Sequence, residues 1–395
     1  MRIYIEPGES LMFRTGRPFQ AGEDGFAESL FPPTPETIQG ALRAAIATQW
    51  GLHQRPPLHN VSQIFRQREL LSLIGDRHSY GRFRITGLTL GRRRDGTIER
   101  LFPVPAHIIK VSVGEGKQRE ERFLSMHPLA ASDKNVLTNT PEGIAHLLYP
   151  KEEVKMSQKA AVLSDWMTPR GLHAVLHDDL PSKEDLVSRE NIYTSEPRLG
   201  IGIENSSKTT KEGHLYQAHF VRMSEGYGFV IDIALGSTES SNTDLSRANE
   251  LQTEEELSFL QDGWLTIGGE QRSARLFVLD RKDGAALQRG QEPELHASGE
   301  KQFLYFATPA FFQRGWLPPT EQLRAPIVTA AINKYQTIGG WALEPGHAGG
   351  SPKTTHRCVP AGSIYFFDTS IQVSQPLTEH GWQIGYGLTY TGVWR

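Results

Sequence analysis

Residues 13–43 read FRTGRPFQAGEDGFAESLFPPTPETIQGALR, a loop rich in glycine and proline that leads into a helix start. Thr34 is a suitable N-cap residue, and Pro35 fits the first helical position because its missing N–H needs no partner there. The spacing of the following apolar residues predicts one buried helix face, and Gly51 predicts the end of the helix. That face consists of Ile38, Ala41, Leu42, Ala45 and Ile46.

The same stretch is rich in groups that bind phosphate. A helix N-terminus carries free N–H groups and a partial positive charge, and arginine adds bidentate donors. Arg14, Arg17 and Arg43, of which Arg43 is expected to point away from the sheet, are therefore candidates for contact with phosphate or RNA. The alternative is a structural loop in which the arginines pair with nearby acids. Those acids are Glu23, Asp24 and Glu28.

The composition is that of an ordinary globular protein, with 395 residues, 38% apolar and 22% charged, and a net charge of −3. This charge excludes polyanion binding over the whole surface but allows one local basic groove. The single cysteine, Cys358, excludes an internal disulfide and suits a reducing cytoplasm. Because the N-terminus turns polar after five residues and no apolar run could span a bilayer, we expect a cytoplasmic protein without a signal peptide.

Strands and helices mix without the regular alternation of a doubly wound sheet, which favours an α+β fold of two units. We expect units at 1–205 and 206–395, with an insertion at about 115–190 in the first. The patterns predict a hairpin that turns at Asp95–Gly96 and a short helix in the insertion. Further predictions are a buried strand at 196–204, a hairpin of 213–223 with 227–235, and a helix-like run at 322–332.

Two further segments carry candidate RNA contacts. Residues 66–100 contain nine arginines, no lysine and four acids. Arg92, Arg93 and Arg94 beside the predicted turn form either a solvated basic sheet edge or a nucleic-acid contact. Residues 381–394, GWQIGYGLTYTGVW, interleave glycines with aromatic residues. They form either a loop that approaches RNA closely and stacks on bases, or a tightly turned strand pair with core aromatic residues.

No motif predicts a catalytic residue, a metal or a cofactor. His173 and His177 have the i, i+4 spacing, but no glutamate follows the first histidine as in H-E-x-x-H, so we interpret them as a surface pair. Asp178 and Asp179 add no recognisable metal site. The G-x-S-x-G elbow is absent from the sequence.

Several short motifs occur in a characteristic order. The set closely resembles the RAMP (repeat-associated mysterious protein) superfamily and, within it, the group called Cmr subunit three of type III-B CRISPR effector complexes. The resemblance runs from about residue 10 to the C-terminus and is poorest at about 115–190 and 237–262. The motifs are FRTGRPF, SLFPPTPETIQGALR, LFPVP, EPRLGI, GHLY, GGEQRSA, IGGW, VPAGSIYFF and GYGLTYTGVW.

This resemblance implies two ferredoxin-like, RRM-related domains and a non-catalytic subunit of a ribonucleoprotein complex for antiviral defence. The subunit would bind the 5′ handle of crRNA, contact the large polymerase-like subunit and the backbone subunit, and meet target RNA only indirectly. No membrane is involved. The residues that match the family's N-terminal motif are Arg14, Arg17, Thr37, Gly40 and Arg43. Those in its C-terminal Gly-rich loop are Gly385, Tyr386 and Gly387.

Two details of the resemblance depend on local geometry. The arginine hairpin at Arg92, Arg93 and Arg94 is a candidate thumb that props open the guide–target duplex. The commoner form GGEGR is replaced here by GGEQR, and Gln271 leaves a positive φ at this turn in doubt.

Two other functions stay open on the sequence alone. Some RAMP relatives are metal-independent endoribonucleases that process precursor crRNA with a histidine general base, which predicts cleavage of repeat RNA in EDTA. A purely architectural subunit would show no preference for RNA that carries the handle.

Overall fold

The structure is a computed structural model of the chain. It describes residues 1–15, 26–76, 78–113, 120–129, 147–151, 160–204, 206–207, 209–236, 250–280, 286–342, 351–373 and 376–395. The helices are α1 (Pro35–His53), α2 (Val61–Ile64), α3 (Arg68–Ile74), α4 (Pro169–Leu176), α5 (Arg189–Ile192), α6 (Glu250–Glu256) and α7 (Thr320–Leu323).

The strands before residue 225 are β1 (Arg2–Pro7), β2 (Phe26–Ala27), β3 (Phe83–Arg94), β4 (Thr97–Pro103), β5 (Ile108–Val113), β6 (Glu120–Pro128), β7 (Leu148–Pro150), β8 (Ala161–Val162), β9 (Trp166–Met167), β10 (Leu186–Val187), β11 (Tyr193–Ile203) and β12 (Thr210–Met223). The later strands are β13 (Tyr227–Leu235), β14 (Gly263–Ile267), β15 (Arg272–Val278), β16 (Gln288–Arg289), β17 (Gln302–Phe306), β18 (Thr329–Ala331), β19 (Gln336–Ile338), β20 (Trp341–Ala342), β21 (Ser351–Pro352), β22 (His356–Cys358), β23 (Ile364–Phe367) and β24 (Thr389–Val393).

Helix α1 forms where the sequence predicts it. The Thr34 hydroxyl accepts a hydrogen bond from the Thr37 N–H at 3.4 Å, as an N-cap should, and Pro35 begins the helix. The apolar face is buried as predicted. The predicted end is two residues early, because Gly51 lies inside the helix, where a Cβ atom would come within 2.7 Å of Ile64 on α2. This glycine allows close packing instead of ending the helix.

A nine-stranded sheet is the centre of the fold. Its order is β10-β9-β4-β3-β13-β1-β15-β14, with β16 added beside β4. Residues of β1 alternate between the two faces, so that Ile3 and Ile5 belong to the same core as Ile38 and Leu42 of α1, whereas Tyr4 lies in a separate cluster. We call the face under α1 the inner face and the opposite face the outer face.

Two turns of this sheet have positive φ angles: the predicted turn at Asp95–Gly96, and the turn at GGEQR, where the sequence left a positive φ in doubt. Strands β3 and β4 form a hairpin in which Asp95 and Gly96 have φ of 48° and 75°, the geometry that a two-residue hairpin loop favours. At GGEQR, between β14 and β15, Glu270 and Gln271 have φ of 59° and 51°. Gln271 therefore adopts the positive φ for which the glycine of the commoner GGEGR form would be better suited.

A second sheet in the C-terminal half has the order β18-β23-β17-β24. Its strands β17 and β23 are buried on both faces, as their nearly continuous apolar sequences QFLYF and IYFF predict. One face packs with α4 and β4, and the other with the segment around α7. The α+β class predicted from the sequence is thus confirmed.

Three local predictions are wrong. Strand β11 is not buried, because it pairs only with β12 and leaves Leu199 and Ile201 exposed. Strands β12 and β13 do not form a hairpin, since β12 pairs with β11 and β2 while β13 inserts between β1 and β3. The helix-like run at 322–332 contains Pro326, which cannot continue a helix, and it instead becomes the end of α7 and strand β18.

The predicted insertion contributes β6, β7 and β8 to a four-stranded sheet, β7-β6-β5-β8, whose strand β5 precedes it, and it also contains α4. The short helix predicted there at 141–149 lies mostly outside the described residues, and its last two positions belong to β7. The predicted boundary at residue 205/206 falls between β11 and β12, which pair with each other. Among the described residues, the longest helices are too short or too polar to cross a bilayer.

A cluster of charged side chains joins the central sheet to the C-terminal half. Arg2 donates to Asp232 at 2.5 and 3.0 Å, and Arg100 donates to Glu292 at 2.8 and 2.5 Å. Arg2 also reaches Glu292 at 3.3 Å, and Arg100 reaches the Tyr390 hydroxyl on β24 at 3.3 Å. Burial alone would raise the pKa of Asp232, but the hydrogen bonds and charge of Arg2 outweigh it and lower that pKa.

We expect Asp232→Asn to lower the free energy of unfolding by about 3 kcal/mol, because it leaves two arginines short of a buried counter-charge. The depressed pKa implies that this contribution is present above the unfolded carboxyl pKa of about 3.9 and is lost as the pH falls through the folded value. Urea unfolding at pH 7 and below pH 4 measures both effects. As a control, Glu121→Gln breaks an exposed pair with Lys110 and should change stability by less than about 1 kcal/mol. Equal effects of the two variants would contradict the role of the cluster.

Candidate nucleic-acid interface

A cleft of about 560 Å³ opens between the start of α1, the inner face of the central sheet and loops of the C-terminal half. Its volume and mostly apolar lining are typical of a site for a small ligand or a few nucleotides. Segments far apart in sequence meet there. The lining comes mainly from residues 31–35, 88–90, 101–104, 162–166, 307–309, 333–338 and 360–361.

Aromatic rings and cations stand at the rim of the cleft. Phe31 and Tyr193 pack at 4.2 Å between ring centroids, and the Arg189 guanidinium lies 5.8 Å from the Tyr193 ring. On the other side, Lys334 is exposed and makes no ion pair with any residue that the structure describes. Its neighbour Tyr335 is 49% exposed. Arg189 also pairs with Glu190 at 3.5 Å. A ring beside a cation can hold the base and the phosphate of a nucleotide.

The N-terminus of α1 borders the cleft, but its positive end is already occupied. Thr34 caps the helix, and the carboxylate of Glu36 in the first turn accepts a hydrogen bond from the Tyr386 hydroxyl. A carboxylate at this position supplies the negative charge that the helix dipole favours. Phosphate binding at this helix end, as expected from the sequence, is therefore not what the geometry favours.

The predicted residues on α1 lie along its solvent side. Thr37 is half-buried, and Gly40 is exposed, with no atom within 4 Å of where its Cβ would be. The Arg43 guanidinium donates to the carbonyls of Gly75 and Asp76 at 2.9 and 3.3 Å. Burial lowers the pKa of Arg43. Gly40 is thus the accessible position on this face, whereas Arg43 stabilises the turn after α3.

The other arginines that the sequence predicts as RNA contacts differ in their surroundings. Arg14 is exposed and forms a backbone bridge with Ser29, whereas Arg17 lies outside the described residues. At the β3–β4 hairpin, Arg92 pairs with Glu99 at 2.5 Å and Arg93 pairs with Glu6 at 2.8 Å.

This hairpin lies within the central sheet, where β13 flanks β3 and β16 flanks β4. It does not project from the body as a separate thumb. Arg94, at its end, is exposed and has no ion pair within the described part of the chain.

The C-terminal Gly-rich loop is buried where the C-terminal part of the chain packs against the central sheet. Tyr386 is fully buried, with its ring against Phe311 at 4.7 Å, so it cannot stack on a base in this arrangement. Gly385 has φ of 97°, and a Cβ there would lie 2.8 Å from Ile85 of the central sheet. Gly387 has φ of 69°, and a Cβ there would lie 2.4 Å from the Leu377 carbonyl oxygen. Gly385 thus lets this loop approach the central sheet closely, and Gly387 lets it approach the segment around Leu377.

Titratable groups away from the cleft have structural roles. The imidazole rings of His173 and His177 pack at 4.2 Å, and His177 Nδ1 lies 2.8 Å from the His173 carbonyl oxygen. Burial lowers the pKa of His107 to about 3 and raises that of the Cys358 thiol to about 12, so both groups are neutral at pH 7. Within the described ranges, no cluster of histidine, cysteine, aspartate and glutamate could hold a metal ion.

The sequence missed the rim residues Arg189, Lys334 and Tyr335. The only local signal was the adjacent cation and ring in NKYQ, residues 333–336, a pair too short to stand out by itself. Their common location depends on contacts between the sheet, the insertion and the C-terminal half, which no local pattern encodes.

These features define an α+β protein with an aromatic, cation-rimmed cleft. The profile of the family described as CRISPR-associated protein (Cas_Cmr3) matches residues 3–394. The chain therefore belongs to this family.

No curated protein matches the chain significantly. Among solved structures, one similar chain is in a cryo-EM structure of the type III-B Cmr-beta complex bound to cognate target RNA and AMPPnP. It is 18% identical, with a TM-score of 0.44, and the match covers 93% of this chain and 86% of that chain. A second is in the same type of complex bound to cognate target RNA, at 16% identity with the same TM-score and coverage.

We expect Tyr386→Phe to lower the free energy of unfolding by about 1–3 kcal/mol, because the Glu36 carboxylate loses its hydroxyl donor. RNA affinity should stay unchanged, since the ring keeps its buried position against Phe311. Chemical denaturation and RNA binding by the same preparation measure the two quantities. The matched control is Tyr149→Phe, which changes an exposed tyrosine on β7. Normal stability together with weakened RNA binding would instead indicate that Tyr386 contacts the RNA directly.

Proposed function

We propose that the chain is a non-catalytic subunit of a type III-B CRISPR effector complex that binds the 5′ handle of crRNA. Membership of the Cas_Cmr3 family supports the type of complex. The observation that carries the RNA-binding role is the cleft beside α1, whose rim combines the exposed ring of Tyr335 with Lys334, a cation that makes no ion pair within the described residues. In this proposal the protein has two ferredoxin-like domains and acts in antiviral defence in the cytoplasm.

The chemistry of the cleft suits unpaired nucleotides. Tyr335 and Tyr193 offer ring faces on which bases stack, and Lys334 and Arg189 can neutralise the phosphates between them. Stacking tolerates any base, so selectivity for the handle would come from edge contacts deeper in the cleft. The guide beyond the handle would be recognised by base pairing and not by this chain.

The exposed side of α1 extends this surface. With no side chain at Gly40, a sugar–phosphate backbone can approach the helix closely, and the exposed Arg14 is the predicted cation of the preceding loop. The proposed protein contacts are the large polymerase-like subunit and the backbone subunit, and target RNA would be met only through the guide.

We expect Lys334→Ala/Tyr335→Ala to weaken binding of a short RNA carrying the host's repeat-derived 5′ end by tenfold or more, because one stacked base contributes about 1–3 kcal/mol. The loss of one phosphate contact should also reduce the salt slope by about 0.7. Fluorescence anisotropy at several salt concentrations gives both values. Tyr149→Ala/Lys183→Ala removes an exposed ring and an exposed lysine outside the cleft and serves as the control.

Unchanged affinity and salt slope in the cleft variant would contradict the proposed handle site. Cleavage of repeat RNA by the wild-type chain in EDTA would contradict the non-catalytic assignment and favour the endoribonuclease alternative.

We expect substitutions of Gly40 to separate stability from RNA binding. Gly40→Ala should raise the free energy of unfolding by about 0.5–1 kcal/mol, because alanine favours a helix and the site has room for its methyl group. Gly40→Glu should keep the fold but weaken handle binding, because it adds bulk and negative charge where the RNA backbone approaches. Thermal melts and anisotropy measure these changes. Thr48→Glu, on an exposed position about 12 Å along the same helix, is the control and should bind as wild type.

A further inference from the structure

The outer face of the central sheet carries a row of side chains that the handle site does not use. Trp264 on β14 is directly opposite Arg275 on β15, and Arg275 is directly opposite Glu6 on β1. Arg93 of β3 donates to Glu6 at 2.8 Å and completes the row. We call these four residues the outer strip.

The outer strip lies on the side of the sheet away from the cleft. Leu265 and Ala274, the neighbours of Trp264 and Arg275 in sequence, belong to the core under α1, and alternation along a strand therefore turns the strip residues outward. The cleft is lined on the sheet by Leu88 and Phe229, which belong to the inner face. A ligand on the strip and a ligand in the cleft would be separated by the thickness of the sheet.

The strip has an exposed ring and an unneutralised cation. Trp264 is 67% exposed, and the Arg275 guanidinium lies 5.9 Å from the Trp264 ring centroid and 4.7 Å from that of Phe277. Arg275 makes no ion pair within the described part of the chain, whereas Glu6 is already bound to Arg93. Two arginines and one glutamate leave the strip with a net positive charge. Between β1 and β3, strand β13 contributes Gly228, so no side chain separates Glu6 from Arg93 there.

We propose that the outer strip is a binding site for single-stranded RNA, separate from the handle site. A base would stack on the open face of Trp264, while Arg275 and Arg93 would contact the adjoining phosphates. The positive charge and the ring beside it fit a polyanion with flat bases. A protein partner is the competing occupant, because tryptophan and arginine are also enriched at the centres of protein interfaces.

The test uses the full chain and a fluorescein-labelled 12-nucleotide oligouridylate, which lacks the handle sequence. We expect Trp264→Ala/Arg275→Ala to weaken its binding by tenfold or more and to reduce the salt slope by about 0.7. Trp264→Phe/Arg275→Lys keeps a ring and a charge and should recover most of the affinity. The control Tyr149→Ala/Lys183→Ala should bind as wild type.

Three further measurements separate this proposal from the handle site and from misfolding. Oligouridylate should still bind when unlabelled handle RNA saturates the cleft, and Trp264→Ala/Arg275→Ala should bind handle RNA normally. In the unsubstituted chain, photocrosslinking with 4-thiouridine oligonucleotides should label the peptide that contains Trp264. Absence of that crosslink, or unchanged oligouridylate binding by the double variant, overturns the proposal. If the variant instead loses only its association with partner proteins, the strip is a protein-docking surface and the RNA assignment is wrong.

Discussion

The buried hydrogen-bonded pairs of Arg2 with Asp232 and Arg100 with Glu292 hold together parts of the chain that are far apart in sequence. Three strands of the central sheet and the segment before β17 supply the four charges, and Tyr390 on the last strand closes the cluster. Charges removed from water are costly unless every partner is in place, so the cluster is satisfied only when the sheet and the C-terminal half are correctly assembled. It therefore selects one relative arrangement of the two halves.

The cleft is a consequence of that arrangement. One wall belongs to α1 and the sheet, and the other belongs to loops of the C-terminal half, so neither half contains the site alone. The contact between Tyr386 and Glu36, with the glycines on either side of Tyr386, sets the distance between the walls near the start of α1. Tyr386 and Gly385, which resemble RNA-binding positions in the sequence, thus hold the walls in place. The side chains free to meet a ligand are those at the rim.

Local patterns predicted the structure correctly where the deciding interactions lie within a few residues. Thr34, Pro35 and the apolar spacing define α1 through interactions within a few residues, and Asp95–Gly96 favours its turn by backbone geometry alone. The pairing of β13 was not predictable in this way, because the short turn at residues 224–226 is equally compatible with a hairpin. Its partners β1 and β3 are decided by the distant core. The cleft could not be predicted either, since Lys334 and Arg189 come to line the same cleft only after the distant segments that carry them have packed together. The family resemblance named the correct family but placed Tyr386 among direct contacts, where its burial excludes it.

The ribbon formed by β11 and β12 affects the solubility of the chain when it is free of partners. Leu199, Ile201 and Ile203 alternate along one side of an edge strand, and Leu215 joins them from the neighbouring strand, each more than half exposed. An edge strand with an aliphatic face is the surface that natural proteins avoid showing to solvent, because it templates association with other chains. The chain alone is thus vulnerable to aggregation in proportion to its concentration. The cell would therefore need to synthesise this chain in balance with the partner that covers the ribbon.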